Sequence, residues 1–596
     1  MGLKKIRFMD TSFRDGFQSV FGARVRTKDF LPAIKASVEA GIDHFEFGGG
    51  ARFQSLFFYC QESAFDMMDR VRLAVGPDIN LQTLARGINV VGLSQQPKDI
   101  INLHAKLFKK HGTTTIRNFD ALNDTDNLNY SGHCIHNADL KHQIAITLMG
   151  LPPGIQDKSV HSAEFYMEKL NEILDKEIPF DSIVFKDASG TCPPEVVYET
   201  VKKARARVGK NTTLWFHTHD TAGLGTISIM AAIRAGIDGI DLAQSPVSSG
   251  TAQPDILSVW HALRTTEYTL DIDYKKILRA ETIFEECMDN YLIPPEAKRT
   301  SPNIVLSPMP GGALTANTMM MRDTNTLHLY PKVIKEMAEV VKKGGFGTSV
   351  TPVSQFYFQQ AFTNVTQGKW KKITDGYGNM VLGYYGKTPR KPDAEIIKLA
   401  KEQLGKPEFT GSPIEILNQG IPEAKKNLLE HNLPVDDENI FIVATCKDKG
   451  INFLKGNSPL SIYFKERRKE KKQHTENHKK DRIENLIVNV DGKDFKVSVK
   501  PDKDNSPQIL HKKPVKGDEK SAKTGDQYIK SPLTGIITKI LVEKGDKVND
   551  GDVVAIIEAM KMESDIVAHV SGNVKNIKVS VGKRVKEEQE LFVIGE

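Results

Sequence analysis

The sequence predicts an α/β protein: a (β/α)8 TIM barrel, a mainly helical domain after it, and a small all-β domain at the C-terminus. Three observations carry this. Eight short apolar runs alternate with amphipathic stretches over roughly the first 250 of 596 residues. Residues 301–464 carry helical periodicity with Pro and Gly at the turns, and residues 528–596 contain an internal repeat of short strands.

The eight runs are Lys5–Thr11, His44–Gly49, Asn80–Arg86, Thr114–Leu122, Gln143–Gly150, Ser182–Ser189, Thr213–Asp220 and Gly239–Pro246. Between them, segments such as Lys28–Ala40 and Pro194–Val208 place apolar residues at helical spacing. Strict alternation of strand and helix predicts parallel strands, and eight such units predict a closed barrel over residues 1–300. An open doubly wound sheet is the rival. No Gly-x-Gly-x-x-Gly follows a strand, which removes the usual reason to choose it.

Pro331–Lys343 and Asp393–Leu404 typify the helical region, residues 301–464. The run 465–482 is strongly basic, without interleaved aromatics, and reads as a solvated linker rather than a nucleic-acid surface. Ile483–Val499, within the segment 483–500, alternates apolar and polar residues around Asp491-Gly492, a hairpin signal. Residues 501–527 are polar and aperiodic, as in a flexible linker. In the final domain Ser531–Val548 resembles Ala568–Val585, which predicts a flattened barrel with pseudo-two-fold symmetry.

Composition excludes several classes. Hydrophobic content is 39% and charged content 26%, as in ordinary globular proteins. No apolar stretch approaches a membrane span and no secretion signal opens the chain. The five cysteines are scattered without a Cys-x-x-Cys pair, which fits a reduced cytoplasm.

Lys561 lies between the two repeats, in Glu558-Ala559-Met560-Lys561-Met562-Glu563. A lysine flanked by methionines on a hairpin of a duplicated β domain is poorly explained by packing. At the barrel's end of the chain, His217 and His219 close the seventh run. Alternate residues of a strand share a side, so both imidazoles can face one ion. Asp15 follows the first strand and Lys186 ends the sixth, and both positions fall at the C-terminal mouth where barrel active sites lie. Taken alone, the two histidines could be structural, and Lys186 could pair with Asp187 or another carboxylate.

The Ala-Met-Lys-Met core resembles the attachment motif of biotinyl carrier domains, with biotin on Lys561. The barrel residues resemble the biotin-dependent carboxyltransferases: the carboxyltransferase part of pyruvate carboxylase, the oxaloacetate decarboxylase α subunit and the keto-acid subunit of transcarboxylase. The resemblance implies a divalent ion, zinc or manganese, held by Asp15, His217, His219 and a carbamylated Lys186. Leu84-Ala85-Arg86-Gly87-Ile88-Asn89 implies that Arg86 stabilises an enolate oxygen. Arg14 and Gln18 match substrate-holding residues. Gly250-Thr251-Ala252-Gln253-Pro254 implies that Thr251 shuttles a proton, although on spacing alone it reads as a turn residue. Met309-Pro310-Gly311-Gly312 and Val381–Pro389 resemble parts of the helical domain that covers the mouth.

There are two departures from the family. Gly16-Phe17 stands where the family has Ala-His, which suggests a lost polar contact near the substrate, and Phe47–Phe53 lacks the family's tryptophan before the glycines. No biotin carboxylase module is recognisable. The resemblance therefore implies a subunit that moves a carboxyl group from carboxybiotin to pyruvate, giving oxaloacetate, with a separate biotin carboxylase as partner. The alternative is the α subunit of an oxaloacetate decarboxylase working with membrane subunits. A distant alternative is an acyl-CoA-dependent lyase or synthase on the same barrel, which would lack both the biotinyl domain and Lys186. A biotin protein ligase and a homo-oligomeric state are also implied.

Overall fold

The computed structural model describes residues 2–155, 157–465, 484–490, 493–499, 527–532, 534–559 and 562–595. The basic run from 466 onward, the Asp491-Gly492 turn, most of the second linker and Lys561 itself lie outside the described residues.

Eight parallel strands form the barrel: β1 (Lys4–Asp10), β2 (His44–Gly49), β3 (Asn80–Ala85), β4 (Thr115–Phe119), β5 (Lys141–Thr147), β6 (Ser182–Asp187), β7 (Thr213–Thr218) and β8 (Gly239–Leu242). Each pairs with the next, and β1 closes the ring by pairing with both β2 and β8. The expected fold class is the observed one. Most strand residues are buried, as parallel strands must be when helices cover one face and barrel side chains fill the other. The apolar runs overshoot the strands at their C-terminal ends: the eighth reads to Pro246 but the ladder stops at Leu242. Apolar content persists into the mouth loops, so it does not mark where pairing ends.

The barrel interior is markedly polar. Glu46, Gln82, Arg117, Gln143 and Asp241 are all buried and most bond to one another across strands. This is unlike the branched apolar layers that fill many barrels of this kind.

Helices Gly311–Asp323, Tyr330–Lys343, Val353–Gln367, Asp375–Val381 and Ala394–Leu404 share a core with Met9, Leu84, Phe119, Leu122 and Met149 from the strand ends and mouth loops. These helices cover the mouth. The next helices, Gly420–Glu430 and Asp437–Leu454, behave differently. They join the core on the barrel's flank, where Phe441 packs against Phe53, Phe65 and Phe108. The stretch 301–464, expected as one domain over the mouth, is therefore divided between mouth and flank. Helical periodicity identifies a buried face but not its partner.

Gly311, at the start of the first covering helix, has a physical requirement. A Cβ there would lie 1.7 Å from the Thr251 carbonyl oxygen, so only glycine lets the helix begin against the barrel.

Strands Glu484–Val490 and Lys493–Val499 pair antiparallel up to Val490 and Lys493. The C-terminal domain consists of two four-stranded antiparallel sheets around a core that includes Ile537, Val554, Ile557, Val574 and Phe592. Its repeats exchange partners: Gly535 of the first pairs with Val585 of the second, and Gly572 of the second with Val548 of the first. This reciprocal pairing is the expected pseudo-two-fold arrangement. Strands Val553–Ala559 and Met562–Val567 pair up to Ala559 and Met562, so residues 560 and 561 connect them. Glu558 meets Lys449 of the flank helix at 2.9 Å, and Arg584 donates to the Asp323 carbonyl at 2.7 Å. Among the described residues, no helix is long and apolar enough to cross a membrane.

Candidate active site at the barrel mouth

A single π-helical turn, Ser12–Gly16, follows β1 and buries every residue it contains. Such turns recur at functional sites because they redirect side chains that a regular helix would point elsewhere. Here the turn aims Arg14 and Asp15 into the mouth. His217 lies on β7 and His219 just past its end, while Lys186 is the penultimate residue of β6. Asp15, His217 and His219 each offer a ligand atom, and these atoms lie within 4.8 Å of one another, all buried. Asp15 Oδ2 is 3.5 Å from His217 Nε2 and 3.3 Å from His219 Nε2. Lys186 Nζ sits 2.7 Å from His217 Nε2 and 3.9 Å from Asp15 Oδ2. The sequence-predicted metal ligands therefore come together, from the C-terminal ends of β6 and β7 and the turn after β1.

The electrostatics follow from burial and crowding. Burial alone would raise the Asp15 carboxyl, but the Arg14 guanidinium, then His219 and Lys186, hold it well below the usual carboxylate range. Burial pushes the Lys186 ammonium down to about 8, against the pull of Asp15. Burial, reinforced by the Lys186 charge, holds His217 well below its ordinary value and so neutral. A carboxylate with two imidazoles is a donor set that fits a borderline divalent ion. The ammonium of Lys186 is the one member that does not fit as it stands.

Arg14 bonds Glu46 at 2.7 Å and Asp15 at 3.1 Å, and it donates to Gln18 Oε1 at 3.3 Å. Arg86 follows β3 and donates to the carbonyls of Val91 and Gly92, at 2.7 and 2.9 Å. Among the described residues it is buried with no carboxylate partner and its Nε has no hydrogen-bond partner, and burial, then Arg14, lowers it to about 9. A buried cation without a counter-charge is costly unless an anion visits it.

Two expectations need correction. Thr251 is fully buried, and its hydroxyl donates to the carbonyls of Ser19 at 2.9 Å and Ala297 at 3.2 Å. A proton already committed to backbone oxygen is a poor one to shuttle. Thr251 reaches the site through its own carbonyl, which lies 2.6 Å from His219 Nδ1. Phe17 does not border the mouth. It packs in an aromatic cluster with Phe13, Phe30 and Phe284, at centroid distances of 5.8, 5.3 and 5.9 Å. The departure from the family at this position changes the core behind the site, not its lining.

The sequence reading overlooked several residues. Gln253 donates to Asp15 at 3.1 Å and lies 3.0 Å from His219 Nε2. Glu46, Arg117 and Asp241 surround Arg14 and His217 from inside the barrel. The signal for the last three was a charge inside an apolar strand run. The covering domain also delivers hydroxyls. Thr348 bonds the Thr147 hydroxyl at 2.9 Å, and Thr147 is in register with Lys186. Ser349 and Ser354 bury hydroxyls that have no partner among the described residues.

Comparison with known proteins identifies relatives of the whole chain. Residues 304–505 match a conserved carboxylase domain and residues 527–594 match the domain of biotin-requiring enzymes. The pyruvate carboxylase B subunit of Methanocaldococcus jannaschii is 30% identical over 560 residues, covering 94% of this chain and 94% of that one. The 2-oxoglutarate carboxylase large subunit of Hydrogenobacter thermophilus is 28% identical over 95% of this chain and 91% of its own. In fold, the chain resembles the carboxyl transferase domain of Rhizobium etli pyruvate carboxylase, with a TM-score of 0.69 at 24% identity over 76% of this chain and 78% of that one. With its barrel, its biotin-requiring domain and near full-length similarity to a pyruvate carboxylase B subunit, the chain belongs to the family of biotin-dependent carboxyltransferases.

Proposed function

We propose that the chain is the carboxyltransferase and biotin-carrier subunit of a two-subunit pyruvate carboxylase, moving a carboxyl group from biotin on Lys561 to pyruvate to give oxaloacetate. The observation that carries this reading is the convergence of Asp15, His217 and His219 beside Lys186, in a chain that also bears a biotin-requiring domain.

Asp15, His217, His219 and a carbamylated Lys186 would hold zinc or manganese. Such an ion supplies positive charge to a keto oxygen as it becomes an enolate. Carbamylation needs the free amine: its nitrogen adds to the carbon of carbon dioxide, a C–N bond forms, and one N–H proton leaves to water. The lowering of Lys186 by burial favours that amine. The product is an anion, which removes the ammonium from beside His217 and completes the ligand set.

Arg86 offers its unpaired charge to the substrate's oxygens. Arg14, fixed by Glu46, orients Gln18 at the same edge of the site. Carboxylation of a keto acid also requires a proton to leave the carbon beside the carbonyl. With the Thr251 hydroxyl committed elsewhere, the hydroxyls of Thr348, Ser349 and Thr351 just before the helix Val353–Gln367, and of Ser354 in its first turn, are the better candidates for carrying it. Biotin supplies an arm for an activated carboxyl group, attached by a biotin protein ligase and charged on a separate ATP-dependent biotin carboxylase. The chain works as a homo-oligomer in the cytoplasm on this reading.

The test is reconstitution. Holo-protein with its captured partner, ATP, labelled bicarbonate and pyruvate should yield labelled oxaloacetate. Labelling of 2-oxoglutarate but not pyruvate would replace the substrate, a reading favoured by the similarity to the 2-oxoglutarate carboxylase large subunit. Capture of integral membrane subunits in place of a biotin carboxylase would favour an oxaloacetate decarboxylase.

A further inference from the structure

We propose that Asp241 is a positioning residue for His217. It fixes the tautomer in which Nδ1 carries the proton and Nε2 is free to bind the ion. The proposal rests on the reading of His217 as a metal ligand.

Asp241 is fully buried on β8 and receives four contacts. Its Oδ2 lies 2.6 Å from His217 Nδ1 and also accepts from Arg117 Nη1. Its Oδ1 accepts from Arg117 Nη2 at 3.1 Å and from the Trp215 indole N–H. The arginine and indole groups can only donate. The two contacts on Oδ2 therefore decide the imidazole. Arg117 Nη1 also approaches His217 Nδ1 at 3.2 Å. The carboxylate is 0.6 Å nearer, and an anion holds a donated N–H more strongly than a neutral nitrogen accepts one from Arg117. His217 Nδ1 therefore donates, and Nε2 keeps its lone pair. The Lys186 contact agrees, because an ammonium 2.7 Å from Nε2 needs that lone pair as acceptor.

The pair is itself anchored. Arg117 Nε donates to Gln143 Oε1 at 2.6 Å, Gln82 donates to the same oxygen at 3.1 Å, and His44 Nε2 lies 3.1 Å from Gln82 Oε1. The polar barrel interior thus serves as a scaffold for one imidazole. His219 is oriented differently: its Nδ1 faces the Thr251 carbonyl, a neutral acceptor. A carboxylate raises the basicity of the imidazole it holds, and a neutral carbonyl does so less. His217 is therefore the stronger of the two imidazole ligands.

Four donors on one carboxylate give a specific test. An asparagine at 241 must turn its NH2 toward one pair of donors, whichever way it flips. Metal-free full-length Asp241→Asn should bind zinc, or cobalt as a spectroscopic probe, about 10–100-fold more weakly in chelator competition. Adding Trp215→Phe leaves Arg117 Nη2 as the one donor that the NH2 would face on that side, which favours the flip that turns the amide oxygen to His217. The double variant should recover affinity relative to Asp241→Asn. Folded Asp241→Asn with wild-type affinity, or no recovery in the double variant, overturns the proposal. If Asp241→Asn does not fold, the cobalt-loaded wild type decides. Strongly shifted, exchangeable Nδ1–H proton signals from both His217 and His219 support the assignment, and absence of the His217 signal overturns it. Failure of the wild type to bind either ion would instead remove the metal reading beneath it.

Discussion

The barrel and the C-terminal β domain solve opposite problems. The candidate attachment motif of the β domain, Glu558 to Glu563, is one run of consecutive residues in a duplicated scaffold. The barrel assembles its site from the ends of β1, β3, β6 and β7, so Asp15 and His219 meet although 204 positions separate them. Their interiors differ accordingly. The β domain buries aliphatic side chains around Phe592, whereas the barrel buries arginines, carboxylates and amides that satisfy one another. A carrier needs a stable base for a mobile arm. A transferase needs fixed charges where oxygen becomes anionic, and fixed charges inside a protein need buried partners.

The largest effect should come from the carrier. Lys561→Arg, assayed with the complete enzyme, should lose transfer to the keto acid entirely and lose avidin binding, while metal content stays unchanged. Residual transfer at wild-type rate would break the division of labour between the two regions. Next is the metal cluster. His217→Ala should lower transfer by roughly 100–1000-fold, on the scale of one lost electrostatic stabiliser, with avidin binding intact. Metal analysis should find the ion depleted.

Arg86→Leu should lower transfer by about 100-fold. Its melting temperature should change little, because removing a buried cation without a counter-charge offsets the loss of the donor to the Val91 and Gly92 carbonyls. A large loss of stability would mean that Arg86 is structural. Thr251→Val sharpens the correction made above. Leaving the Ser19 carbonyl without this donor should cost about 1–3 kcal/mol in denaturant unfolding, whereas the Ala297 carbonyl keeps the backbone N–H of residue 251. Turnover should change only a few-fold, whereas loss of a proton shuttle would lower it far more.

The smallest effect concerns pH. Burial, reinforced by Asp255, raises Glu281 on the barrel flank to about 8 from an ordinary 4.5. The folded barrel therefore binds this proton more tightly than the unfolded chain. The associated stability is fully present below pH 4.5 and is lost as pH rises through about 8. Glu281→Gln should remove that decline, raising the barrel's melting temperature near pH 8 relative to wild type. The melting of the β domain should be unaffected, and a shift there would show that the two regions unfold together.

Much of the fold was legible because strand and helix alternate in the first half of the chain, and the apolar periodicities differ. The biotin motif was legible because its chemistry is local. Asp15, Lys186, His217 and His219 could be named because each closes or follows an apolar run, the position that becomes a barrel mouth. Glu46, Arg117 and Asp241 were passed over although they interrupt apolar strands. A lone charge in a strand run has no visible partner until the ring closes.

Periodicity and contiguous motifs need no long-range information, so the barrel, the duplicated β domain, the candidate carrier lysine and the candidate ligands were legible in one dimension. The contact of the Thr251 carbonyl with His219, the place of Phe17 in the core, the position of residues 413–454 on the flank and the contact of Asp241 with His217 emerge only from packing across the closed barrel. Each of these depends on which donor meets which acceptor across the closed barrel. That pairing is fixed by strand register and side-chain direction, and neither has a signature in one dimension.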